Sequence, residues 1–181
     1  QQYAAVAVAD LATGAEYQDA RDMGKRLYLT YCMQCHGSDA GGAKGFPNLT
    51  DGTWNWGGSP EQIRATIANG RKALMPAHAH LGDETIETLV GYLTGDATAA
   101  ESGKAAFMQS GCIACHGVEG TGNPILGAPN LMDDDWLYGA GPSAIRDVLL
   151  KGRNGEMPAF QELLGGDKVH LLTAYVYSLS K

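Results

Sequence analysis

The sequence predicts a mainly helical protein built as two tandem copies of one small domain. Three observations carry this. Cys32-Met33-Gln34-Cys35-His36 returns as Cys112-Ile113-Ala114-Cys115-His116, and these motifs use all 4 cysteines of the chain. The remainder repeats at an offset that drifts from 79 to 83 residues. Between the motifs lie segments with apolar residues at helical spacing, framed by capping residues and glycines.

Taken in order, residues 1–19 carry neither motif nor repeat and read as an arm or linker with one short helix. Arg21 to Tyr31 places Met23, Leu27, Tyr28 and Tyr31 on one helical face and runs into Cys32. Residues 37–55 are rich in Gly, Ser, Asp and Asn and read as loop. Ser59-Pro60-Glu61-Gln62 is a helix start: Ser as N-cap, Pro at the first turn, Gln closing a capping box. Ile63 and Ile67 give that helix its apolar face, and Gly70 ends it. A further helix spans Asp83 to Leu93, capped by Asp83, with Ile86, Leu89, Val90 and Leu93 inward. Small polar residues from Gly95 to Ala100 mark the boundary, giving domains at 20–96 and 97–181.

The second half matches the first in the same order. Gly24-Lys25 becomes Gly103-Lys104, and Pro47-Asn48-Leu49 becomes Pro129-Asn130-Leu131. Trp54 becomes Trp136, Gly70-Arg71 becomes Gly152-Arg153, and Met75-Pro76-Ala77 becomes Met157-Pro158-Ala159. Extra residues in the second copy fall in loops, where insertions are tolerated.

Two cysteines three apart with histidine next are the attachment signature of c-type haem. Two thiols add across the porphyrin vinyl groups, and the histidine then lies under the iron. Zinc is a poor alternative, because each copy offers at most three of the four N/S ligands a closed site needs. Met75 follows His36 by 39 residues, and Met157 follows His116 by 41. Each is read as the sixth ligand of its own domain's iron, a thioether that favours ferrous iron and raises the potential. Met23, Met33, Met108 and Met132 have no such pairing and are read as packing residues. His78 and His80 stand close enough to Met75 to compete for the first iron, and His170 reads as an exposed or capping residue.

In these motifs both halves resemble class I cytochrome c domains over residues 20–181. The resemblance implies one covalent haem c per domain, each wrapped by a small helical fold. It implies that the carbonyls of Pro47 and Pro129 accept from the proximal histidines, and that Leu49 and Leu131 lie against the porphyrin. Trp54, Trp136, Arg71 and Arg153 are then candidates for propionate contacts, with core filling or a solvated surface as the alternative. Gly24 and Gly103 would let the first helix cross the last closely, near Tyr92 and Tyr175. Phe46-Pro47-Asn48-Leu49-Thr50-Asp51, the run from Ala128 to Gly139 and the ending Ala174 to Ser180 resemble, more narrowly, the dihaem subunit of cbb3-type cytochrome oxidases. That likeness implies electron transfer toward the subunit that reduces oxygen, redox-protein partners and the periplasm. In that family one or two membrane helices precede these domains. The run from Ala4 to Ala9 is far too short to span a bilayer, so the expectation is a soluble part of an anchored subunit or a soluble relative.

The alternatives are a free dihaem shuttle of the cytochrome c4 type, a dihaem peroxidase and a gas sensor. The last two need an open iron position. A net charge of −7 argues against nucleic-acid binding and favours a partner presenting basic charge. No catalytic residue stands out. Glu156 beside Met157, with Asp133 to Asp135 in the same half, predicts that the second haem has the lower potential.

Overall fold

The computed structural model describes residues 2–181; Gln1, the first residue of the predicted arm, lies outside the described residues. The helices among them are Val8–Thr13 (α1), Gln18–Tyr31 (α2), Met33–His36 (α3), Pro60–Asn69 (α4), Asp83–Leu93 (α5), Ala100–Gln109 (α6), Ile113–His116 (α7), Pro142–Lys151 (α8) and Gln161–Ser178 (α9). Two strands, Arg71–Met75 (β1) and Arg153–Met157 (β2), form a two-stranded sheet. The fold is mainly helical, as the sequence predicts.

Local chemistry sets the element ends. Ser59 accepts from the Gln62 N–H at 3.2 Å, and the Gln62 carboxamide accepts from the Ser59 N–H at 3.0 Å. This is the capping box the sequence spells out. Asp83 is not a cap: Gly82 holds that position, at φ 81°, and Asp83 sits in the first turn, where its charge favours the helix dipole. Gly165 breaks α9 with φ 74° and ψ 162°, so its first turn is a separate short helix.

The chain folds into two compact units. Residues 1–71 and 156–181 make one, and residues 72–155 the other. The predicted division at 96/97 therefore describes the sequence repeat and not the packing. The chain passes from one unit to the other within β1 and returns within β2.

In the first unit, Tyr28 of α2, Ile63 and Ile67 of α4, and Leu164, Val169, Leu172 and Val176 of α9 form one buried cluster. A second cluster joins Val8 and Leu11 of α1 to Ala20, Leu171 and Ala174. Val8, Leu11 and Ala12 of α1 are buried, Leu11 fully, so α1 packs on this unit while most of residues 2–19 stay exposed. His170, expected to be exposed or capping, is half-buried, and its Nε2 lies 2.9 Å from the Val6 carbonyl. In the second unit, Ile86, Leu89 and Val90 of α5 pack with Phe107 of α6 and with Ile145 and Leu149 of α8. Arg146 on α8 reaches Asp83 and Glu87 on α5 at 2.7 and 2.5 Å, an exposed pair of bridges at the rim of that core.

Candidate haem sites

Each proximal histidine ends a one-turn helix that begins just after the first cysteine, so sequence spacing alone brings the cysteines and the imidazole together. The ring of His36 is held with Nδ1 3.0 Å from the Pro47 carbonyl, and that of His116 with Nδ1 3.0 Å from the Pro129 carbonyl. A carbonyl accepts only from N–H, so Nδ1 carries the proton and Nε2 keeps its lone pair for a metal. Both bonds fall where the sequence reading places them. His116 is 7% exposed, and burial lowers its basicity more than the Pro129 bond restores it, which favours the neutral imidazole.

The loops that follow are built alike. Leu49 N–H donates to Ala40 at 2.8 Å, and Leu131 N–H donates to Gly120 at 2.7 Å. Leu49 packs against the core of the first unit and Leu131 against that of the second. Cys32 and Cys112 are half-buried, and Cys35 and Cys115 are exposed. Burial pushes the Cys32 thiol up to about 11, with the neighbouring Cys35 adding to the shift, and it raises the Cys112 thiol too. The site residues therefore fit a covalent haem: two thiols and an oriented imidazole on an apolar wall.

The methionines are the correction. Met157 packs against the same buried cluster as Cys32, Leu49 and Trp54 in the first unit, whereas Met75 packs against the same cluster as Cys112, Leu131 and Trp136 in the second. The structure thus brings each methionine to the motif of the other repeat. The backbone shows the same exchange. Gly70 and Gly152 have φ of 69° and 67°, and a Cβ on either would come within 2.4 Å of a carbonyl oxygen, that of Met157 for Gly70 and that of Met75 for Gly152. The glycine of each Gly-Arg pair therefore serves both the left-handed turn and the close approach. Phe160 N–H donates to Ile67 at 3.0 Å and His78 N–H to Leu149 at 2.7 Å, so each Met-Pro-Ala segment is tied to a helix of the other repeat. His78 consequently lies in the unit of the second motif, not beside the first. Glu156 likewise belongs with the first motif's unit, while Asp133 to Asp135 stay with the second, so the charges behind the expected lower potential fall in different units.

The remaining candidates divide. The Trp136 indole N–H donates to the Asp133 carbonyl at 2.9 Å and so is already used within the loop. Trp54 is half-buried against the first core. Arg153 donates to Asp147 at 2.6 Å and lies over the Tyr138 ring at 4.8 Å. Arg71 donates to the Thr66 hydroxyl at 2.9 Å and lies over the Trp56 ring at 4.8 Å. The two arginines hold equivalent places, but only Arg153 faces a carboxylate, because the counterpart of Asp147 is Ala65. Met23, Met33, Met108 and Met132 are 39 to 46% exposed, so they are surface residues more than core fillers.

Sequence reasoning missed Tyr28. It is fully buried, and its hydroxyl donates to the Gly37 carbonyl at 2.6 Å, fixing the turn that leaves His36. Burial raises this phenol to about 12, with Cys32, Tyr175 and Asp39 adding smaller terms. Phe107 takes the equivalent place in the second unit and carries no hydroxyl. The departure of Tyr from Phe at aligned positions is the signal that was available.

The comparisons agree with the motifs. The family described as cytochrome c oxidase, cbb3-type, subunit III matches residues 19–93 and 98–176. The chain is 40% identical to a Cbb3-type cytochrome c oxidase subunit CcoP of Rubrivivax gelatinosus, over 92% of this chain and 57% of that protein. It is 39% identical to a FixP subunit of Bradyrhizobium diazoefficiens, over 88% of this chain and 61% of that one. With the CcoP subunit of Rhodobacter capsulatus the identity is 36%, over 88% and 62%. The chain thus spans about three fifths of the length of these relatives. No helix among the described residues is long and apolar enough to cross a membrane.

Proposed function

Since this chain belongs to the family of subunit III of cbb3-type cytochrome c oxidase, an electron-transfer cytochrome family, we propose that it carries electrons on two covalently bound c-type haems. One haem is attached through Cys32 and Cys35 with His36 as proximal ligand, the other through Cys112 and Cys115 with His116. The sixth ligands are exchanged between repeats: Met157 completes the first iron and Met75 the second. Bound there, the haem supplies the one-electron couple. The protein's part is to orient the imidazole, present the thioether and exclude water. Pro47 and Pro129 hold the histidine rings so that Nε2 faces the metal, and Leu49 and Leu131 supply the apolar wall. Arg71, Arg153 and Trp54 are the propionate candidates that stay in play; for Trp136 the indole N–H is already engaged.

The observation that carries this reading is the duplicated Nδ1-to-proline bond, which leaves one imidazole nitrogen ready for a metal at each of two equivalent places. With both irons filled by methionine, the protein relays electrons and does not itself catalyse. The route we favour runs at the periplasmic face of a membrane, from a donor cytochrome toward the oxygen-reducing subunit of an oxidase. A free dihaem shuttle is the alternative.

Two covalent haems make a direct expectation. Intact-mass measurement after denaturation should show the polypeptide plus two haem masses. Replacing Cys32 and Cys35 by Ala should remove one of them, and a chain with one or none would overturn the assignment.

A further inference from the structure

One buried side-chain polar atom among the described residues has no hydrogen-bond partner: Nδ1 of His78. A buried polar atom left without a hydrogen bond is costly, so such an atom invites the question of what meets it. The residue is held firmly, since its own N–H donates to the Leu149 carbonyl at 2.7 Å. It lies in the unit that contains Cys112, Cys115 and His116. Burial, with like-charge repulsion from His80 and His116, keeps its imidazole below the ordinary range. The His80 ring stands 5.9 Å away, centroid to centroid, and gives Nδ1 no bond.

The other repeat supplies the control. Phe160 stands in the place of His78, three residues after its methionine, and its N–H is tied to Ile67 in the same way. Its ring packs with the first core and lies edge-on to Tyr31. The fold therefore accepts a ring with no polar atom at this position. At the second site it holds a ring with one nitrogen shut from water and unanswered by protein.

We propose that Nδ1–H of His78 donates a hydrogen bond to an electron-rich acceptor of the haem site built on Cys112, Cys115 and His116. The periphery of a haem offers carboxylates, which accept; the protein offers no acceptor, the Met75 sulfur included. The inference rests on the haem reading above. His78 is a tuning residue: it does not ligate the metal. A donor to a haem carboxylate withdraws negative charge from the neighbourhood of the iron. That disfavours the ferric form, which carries one more positive charge than the ferrous. His78 thus raises the potential of this haem and leaves the other, which faces Phe160, untouched.

The test uses the protein with its haems in place and two substitutions. His78→Phe installs the residue the other repeat carries, and His78→Gln keeps an N–H donor that does not ionise. Redox titration at neutral pH should show His78→Phe shifting the reduction equilibrium of one haem about tenfold toward ferric, or 59 mV for one electron. His78→Gln should restore most of it. The shifted haem is identified by NMR through its thioether protons to Cys112 and Cys115. The methionine-to-iron charge-transfer band should stay in place in both variants, because the acceptor is a haem carboxylate and not the Met75 sulfur; a displaced band would overturn the assignment. An unshifted potential in His78→Phe, a Gln variant that behaves like Phe, or an equal shift of both haems would overturn the proposal. Failure of haem attachment in the unsubstituted protein would instead remove the reading on which it rests.

Discussion

Replacing Met157 by Ala opens the iron attached through Cys32 and Cys35, and leaves the iron on Cys112 and Cys115 six-coordinate. The order of the sequence suggests the reverse, since Met157 follows the second motif. The packing decides otherwise: Met157 belongs to the cluster of Cys32 and Trp54, and Met75 to that of Cys112 and Trp136. Losing a thioether exchanges a soft neutral ligand for water or nothing. Axial ligands set haem potentials over a range of about 0.8 V, so the affected haem should fall by roughly hundreds of millivolts. It should also become high-spin and bind carbon monoxide. NMR of the reduced unsubstituted protein provides the assignment. The methyl group of Met157 should show contacts to the thioether protons of Cys32 and Cys35, and that of Met75 to those of Cys112 and Cys115. Contacts in the opposite sense would restore ligation within each repeat.

Gly24→Val and Gly103→Val should each destabilise the protein by about 3 kcal/mol. A Cβ at Gly24 would lie 2.5 Å from the Leu171 carbonyl oxygen and 2.6 Å from Cβ of Tyr175. A Cβ at Gly103 would lie 2.2 Å from Cβ of Tyr92. These atoms belong to the backbone or are fixed to it, so no rotamer change relieves the clash, and the helices must separate. For a unit of this size, 1 kcal/mol moves the midpoint by roughly 4–8 °C, which puts the expected loss at about 12–24 °C in a thermal melt. The two variants should differ in what they release. Gly24→Val pushes on α9, which follows Met157, and should weaken the methionine-to-iron charge-transfer absorption of the first haem. Gly103→Val pushes on α5, which follows Met75, and should weaken that of the second. A melt unchanged in both variants would show that the helix crossings are looser than these distances.

The chemistry of each site was legible in the residues. Cys-x-x-Cys-His brings thiols and imidazole together within about one helical turn. The proline carbonyl that orients each histidine lies 11 or 13 residues on, within one loop. The capping box at Ser59 and Gln62 and the glycines that stop α4 and α8 are likewise local, and all stand where the pattern puts them. Local bonds depend on neighbours in the chain, so the sequence by itself determined them.

Which Met-Pro-Ala segment packs on which motif was not local. The repeats present the same series of surfaces: a glycine on the first helix, a tyrosine on the last, and Gly-Arg leading to Met-Pro-Ala. Gly24 fits Tyr175 as it would fit Tyr92, and Gly103 fits Tyr92 as it would fit Tyr175. A pattern that is the same in both copies specifies that a last helix closes each site, but not whose. Exchange of equivalent elements is open to any such pair. The tertiary structure made the choice, through the ties of Phe160 to Ile67 and of His78 to Leu149. The same choice placed Glu156 in the unit of the first motif and His78 in the unit of the second. Electrostatic and hydrogen-bonding effects act through space, so only the folded chain decides which iron they reach.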